Sequence, residues 1–145
     1  MIDIDLPSGF DDALWPLVGW TAGRLAPDRV PRLAGMEDTS PSRDDLRALC
    51  AAFGTTSAAP LLHVAGVTPE SNLEPLKDAG RASITRADLL DAWQTLNAGP
   101  EQVDLIALGS PHFSMEETHQ FARLLGKTCV HPNVRVMITL GRDVY

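Results

Sequence analysis

Twice in its second half this chain runs from an apolar stretch straight into a helix start. "PLLHVAGV" meets "TPES" over 60–71, and "VDLIALG" meets "SPHFSMEET" over 103–118. A short apolar run bounded by turn residues reads as a buried strand, and a hydroxyl with a carboxylate three positions on reads as a helix N-cap. Strand and helix patterns that alternate in this way restrict the fold to βα units on a largely parallel sheet. The expected class is therefore α/β, with a three-layer αβα arrangement and one domain spanning 1–145.

Further segments fit this frame. Asp11 and Asp12 precede "ALWPLVGWTAGRL", an apolar helix in which Pro16, Gly19 and Gly23 imply a kink or a close approach. "RVPRLAG" (29–35) reads as a short strand, with Pro31 at an edge or a strand end. Ser42 and Asp45 form a capping pair for a helix that places Leu46, Leu49, Cys50 and Phe53 on one face and stops at Gly54. Thr85 caps the next helix, with Leu89, Leu90, Trp93 and Leu96 as its apolar stripe, and Ser114 with Glu117 caps another. "VRVMITL" reads as a last buried strand. The chain stops right after it, where a crossover helix is expected, which suggests a fragment of a longer protein.

Composition removes several function classes. Hydrophobic residues make up 44% and charged residues 21%, as in soluble globular proteins. The net charge of −7 and the lack of a basic stripe argue against a nucleic-acid partner. No apolar run approaches the ~18 residues that cross a membrane, and "MIDIDLPSG" lacks the basic start of a signal peptide. Cys50 and Cys129 fit no metal spacing and read as two buried thiols in a reducing cytoplasm.

In open α/β sheets ligands bind at the carboxyl ends of strands, beside helix N-termini. That rule selects "TTS" (55–57), "GVTPES" and "GSPHFS" as polar corners. Ser110 and His112 bring a hydroxyl and an imidazole to one such corner, which would suit a carboxylate or phosphate; plain turn chemistry is the competing reading. Thr68 and Glu70 are explained almost as well by capping alone. No glycine-rich dinucleotide fingerprint or P-loop is present.

At "LLHVAGVTPES" and "DLIALGSPHFSMEE" the chain resembles the aconitase X family, whose members show a strand ending "H(V/I)xG(V/I)TPEA" and then "GxPHxSxEE". "RVPRLAG", "RDDLRALCAAFGTTSAAPLLH" and "TLGRDV" are similar to further family segments, so the resemblance runs nearly end to end. It implies an aconitase-like α/β architecture and a dehydratase: cis-3-hydroxy-L-proline dehydratase or, alternatively, mevalonate 5-phosphate dehydratase. A non-catalytic scaffold fragment is the reading from another class. By position, Ser110, Pro111 and His112 fill the "GxPH" corner, Thr68 and Glu70 the "TPE", and Ser57 a family "SG" in which Ala58 replaces the glycine. The resemblance further implies an iron–sulfur cluster, with ligands outside this chain. Ser110 stands where many relatives carry Cys. The implied partners are a small carboxylate substrate, the rest of a large subunit and a swivelling small domain or subunit.

Overall fold

The computed structural model describes residues 1–144. The chain divides into two compact units, Met1–Ala98 and Gly99–Tyr145, where a single domain was expected. The break follows from local chemistry. Helix α3 (Arg86–Leu96) ends at Asn97, and Gly99 and Pro100 cannot continue it.

The first unit holds a four-stranded sheet in the order β3-β2-β1-β4, every neighbouring pair parallel. Its strands are short: β1 (Ile2–Ile4), β2 (Arg32–Ala34), β3 (His63–Val64) and β4 (Ala82–Ile84). Pro31 marks the start of β2, which lies inside the sheet with its ladder intact from Arg32 onward. β3 keeps only two residues of the apolar run 59–67 and forms an edge.

Helices α1 (Leu14–Leu25), α2 (Arg43–Thr56) and α3 join one core with Ile2, Ile4, Leu33, Val64 and Ile84. The opposite sheet face carries Asp3 and Ser83, paired in register and exposed. The unit itself therefore supplies two of the three layers expected. The glycines of α1 permit close packing: a Cβ on Gly19 would overlap the Leu49 carbonyl, and one on Gly23 would overlap the Thr56 hydroxyl.

Several expectations are corrected here. Gly54 does not stop α2, which continues to Thr56. Cys50 and Cys129 are exposed rather than buried. In α3 only Leu89 and Ala92 are buried; Leu90, Trp93 and Leu96 point away from the core. Trp15 is core, whereas Trp20 lies half-buried with the Arg24 guanidinium 4.6 Å above its ring.

The second unit is smaller: β5 (Leu105–Phe113) and β6 (Arg135–Leu140) pair in parallel, with α4 (Met115–Leu125) between them in sequence. Phe113 meets Phe121 of α4 edge to face, with ring centroids 6.0 Å apart. No residue of β5, α4 or β6 is buried, and Ile106 and Met137 are 40% and 50% exposed. The reading of 134–140 as a buried strand therefore fails on burial, though not on strand type. Within this unit α4 meets the strand pair at Phe113, which is too little cover for a parallel sheet to bury its faces.

Candidate functional site

The corner at 109–112 is more unusual than a strand end. Leu108 pairs with Ile138, and the next pair is Phe113 with Leu140. Gly109, Ser110, Pro111 and His112 thus bulge from β5 opposite the single residue Thr139. Bulges of this kind re-aim side chains and recur beside active sites. Gly109 sits at φ 94°, and a Cβ there would overlap the Thr139 carbonyl oxygen, so both conformation and space demand glycine. The Ser110–Pro111 peptide is cis. Ser110 and His112 are exposed on the bulge, while Pro111 is half-buried.

The chain rejoins β6 at Phe113 before α4 begins. Ser114 caps that helix: its hydroxyl accepts from the Glu117 N–H at 3.1 Å, and its own N–H donates to Glu117 Oε2 at 2.7 Å. Glu116 and Glu117 already place two carboxylates in the first turn. They take up the favourable electrostatics of the helix end. An added anion is therefore better served by the bulge than by the N-terminus of α4.

In the first unit the three expected residues do different things. The Ser57 hydroxyl donates to the Ala26 carbonyl at 2.7 Å and accepts from the Ala59 N–H at 3.1 Å, tying the end of α2 to the end of α1. The Thr68 hydroxyl accepts from the Val64 N–H at 3.0 Å and lies 3.2 Å from the Val64 carbonyl, to which it donates. It makes no cap bond to the turn that follows, a single 3-10 turn over Pro69–Asn72 rather than an α-helix. Ser57 and Thr68 thus have their hydroxyls committed to backbone.

Glu70 is exposed and lines an open cavity of about 830 Å³ with Arg32, His63, Leu73, Leu76 and Arg81. This cavity lies at the amino ends of the strands, where Ile2, Arg32, His63 and Ala82 begin them, and not at the carboxyl ends that the α/β rule favours. Arg32 Nε donates to the carbonyl of buried Ser71 at 2.6 Å, and His63 Nδ1 is buried without a hydrogen-bond partner among the described residues. Sequence reasoning missed Arg32, Arg81 and Thr139. Arg81 stands beside β4, whose three residues are too few to show a period, and Arg32 lies in β2, whose neighbours only the sheet order supplies. The third needed the β5–β6 register.

Among the described residues, no group of three or more His, Cys, Asp and Glu side chains could hold a metal ion. Nor, among the described residues, is any helix long and apolar enough to cross a membrane.

Comparison with known proteins gives one consistent family. Residues 1–94 match the model of the aconitase X second domain, and 103–145 that of the aconitase X third domain. The chain is 41% identical over 98% of its length to a cis-3-hydroxy-L-proline dehydratase of Hypocrea jecorina, and 39% identical over 99% to one of Pseudomonas aeruginosa. It is 36% identical over 86% of its length to a phosphomevalonate dehydratase large subunit of Methanothermobacter thermautotrophicus. It spans 26% of each of the first two relatives and 31% of the third. A crystal structure of Thermococcus kodakaraensis aconitase X in its holo-form is similar with a TM-score of 0.79 and 26% identity, over 99% of this chain and 36% of that one. With both family domains matched in order along it, the chain belongs to the aconitase X family.

Proposed function

We propose that this chain forms part of the active-site wall of a dehydratase that removes water from cis-3-hydroxy-L-proline to give Δ1-pyrroline-2-carboxylate. The observation that carries the reading is the 41% and 39% identity, over nearly the whole chain, to two proteins of that name.

The chemistry asks for three things: a grip on the substrate carboxylate, a base for the carbon-bound proton, and help for the departing hydroxyl. The bulge offers two suitable groups, the Ser110 hydroxyl for the carboxylate and the His112 imidazole as the base for the carbon-bound proton. Thr68 and Glu70 belong to the same family pattern. In this chain they shape the sheet edge and one wall of the amino-end cavity. Ser57 supports the wall through its bonds to Ala26 and Ala59.

An iron–sulfur cluster is expected of the complete enzyme, but the residues present do not fit one. Cys50 and Cys129 are exposed on different units, and neither belongs to a donor set among the described residues. Its ligands would come from sequence outside this chain, and no step is routed through it. The remainder of the large subunit and a swivelling small domain or subunit complete the site, in a cytoplasmic enzyme.

Phosphomevalonate dehydration is the second reading, favoured by the 36% identity to an archaeal large subunit. Assaying the complete polypeptide on both substrates, with product identified by mass spectrometry, separates them. Turnover of cis-3-hydroxy-L-proline alone supports the first reading, turnover of mevalonate 5-phosphate alone supports the second, and turnover of neither leaves a scaffold.

A further inference from the structure

We infer that Thr139 is the positioning residue of the Ser110–His112 corner, an inference that rests on the dehydratase reading of that corner. Between the pairs Leu108–Ile138 and Phe113–Leu140, no β6 residue other than Thr139 stands opposite the four bulged residues. Its hydroxyl donates to the Gly109 carbonyl and lies 3.3 Å from the Leu108 carbonyl. One hydroxyl proton is therefore shared between the two carbonyls from which the bulge departs.

Thr139 also closes the space beside Gly109, where its carbonyl and hydroxyl oxygens leave no room for a side chain. Backbone contact from one side and the hydroxyl from the same residue together hold Gly109 at φ 94°. The direction in which Ser110 and His112 leave the strand follows from that dihedral. Thr139 is half-buried and acts through these two residues.

Valine keeps the shape and β-branching of threonine and removes the hydroxyl; serine keeps the hydroxyl and removes the methyl group. The test compares Thr139→Val and Thr139→Ser in the complete polypeptide by steady-state kinetics on cis-3-hydroxy-L-proline and by thermal unfolding. Backbone amide exchange over residues 109–113 is measured alongside. Loss of one hydrogen bond at a positioned group is expected to lower kcat by about tenfold in Thr139→Val, with Thr139→Ser within about threefold of the parent. The unfolding midpoint stays close to the parent in both, and exchange at Ser110 and His112 quickens in the valine variant alone.

Equal kcat in the parent and Thr139→Val overturns the inference. So does a serine variant as impaired as the valine one, or a loss of activity that tracks a collapse of the unfolding midpoint. If the parent does not turn cis-3-hydroxy-L-proline over, the hydroxyproline reading fails instead. Amide exchange then decides for Thr139 by itself: unchanged exchange in Thr139→Val overturns its role, and faster exchange that serine restores upholds it.

Discussion

Replacing Gly19 by alanine puts two well-calibrated effects in opposition. In an exposed helix interior the change stabilises by about 1 kcal/mol, because glycine loses more backbone freedom on folding. Here the new Cβ would overlap the Leu49 carbonyl oxygen and lie 2.9 Å from Leu49 C and 3.1 Å from its Cα. These are backbone atoms of α2, held by the helix and by a fully buried Leu49 side chain, so they cannot swing aside. The helices must part, and overpacking of this kind costs about 1–3 kcal/mol or somewhat more. Taking the upper part of that range, the net is a destabilisation of about 1–2 kcal/mol, or a midpoint lower by roughly 4–15 °C for a unit this size. Gly54, also in α2, is the control: nothing lies within 4 Å of a Cβ placed there. Gly54→Ala should therefore stabilise by about 0.5–1 kcal/mol. Thermal unfolding followed by far-UV circular dichroism reads both variants. Stabilisation by both would refute the close approach of α1 to α2 and the core built on it.

Two other perturbations test different bonds. Ser57→Ala removes the link to Ala26 and the acceptor for Ala59, and should lower stability by about 1–2 kcal/mol in chemical denaturation; no change would mean that these bonds are already satisfied by water. The Thr85 hydroxyl and N–H hold the Asp88 carboxyl below its ordinary value of 3.8. A depressed carboxylate stabilises above its unfolded pKa and loses that contribution as pH falls through the folded one. The stability gap between the parent and Asp88→Asn should thus be full above about 3.8 and close in stronger acid, and a gap independent of pH would contradict the capping geometry.

Local chemistry was the most legible part of the sequence. Ser42 with Asp45, Thr85 with Asp88 and Ser114 with Glu117 all form reciprocal capping boxes, because both partners lie within one helical turn. The strands were harder. β1 and β4 pair at the centre and edge of the sheet, yet "IDI" and "ASI" are too short to carry a period. The stripe of α3 shows the opposite failure: Leu90, Trp93 and Leu96 have the spacing of a core face but stay about half exposed. The corner at Ser110 was visible as a cluster of polar types after an apolar run. Its form as a bulge was not, since a bulge is a relation between two strands, and Thr139 lies in the other one.

Ser110 is the residue on which the proposed site most directly depends. Ser110→Ala in the complete polypeptide, measured for turnover of cis-3-hydroxy-L-proline and for its unfolding midpoint, removes one exposed hydroxyl from the bulge and nothing from a core. Turnover lower by at least about tenfold with the midpoint unchanged is the predicted result, the scale of one hydrogen bond made at the reacting molecule. Undiminished turnover would reduce Ser110 to turn chemistry and contradict the placement of the site.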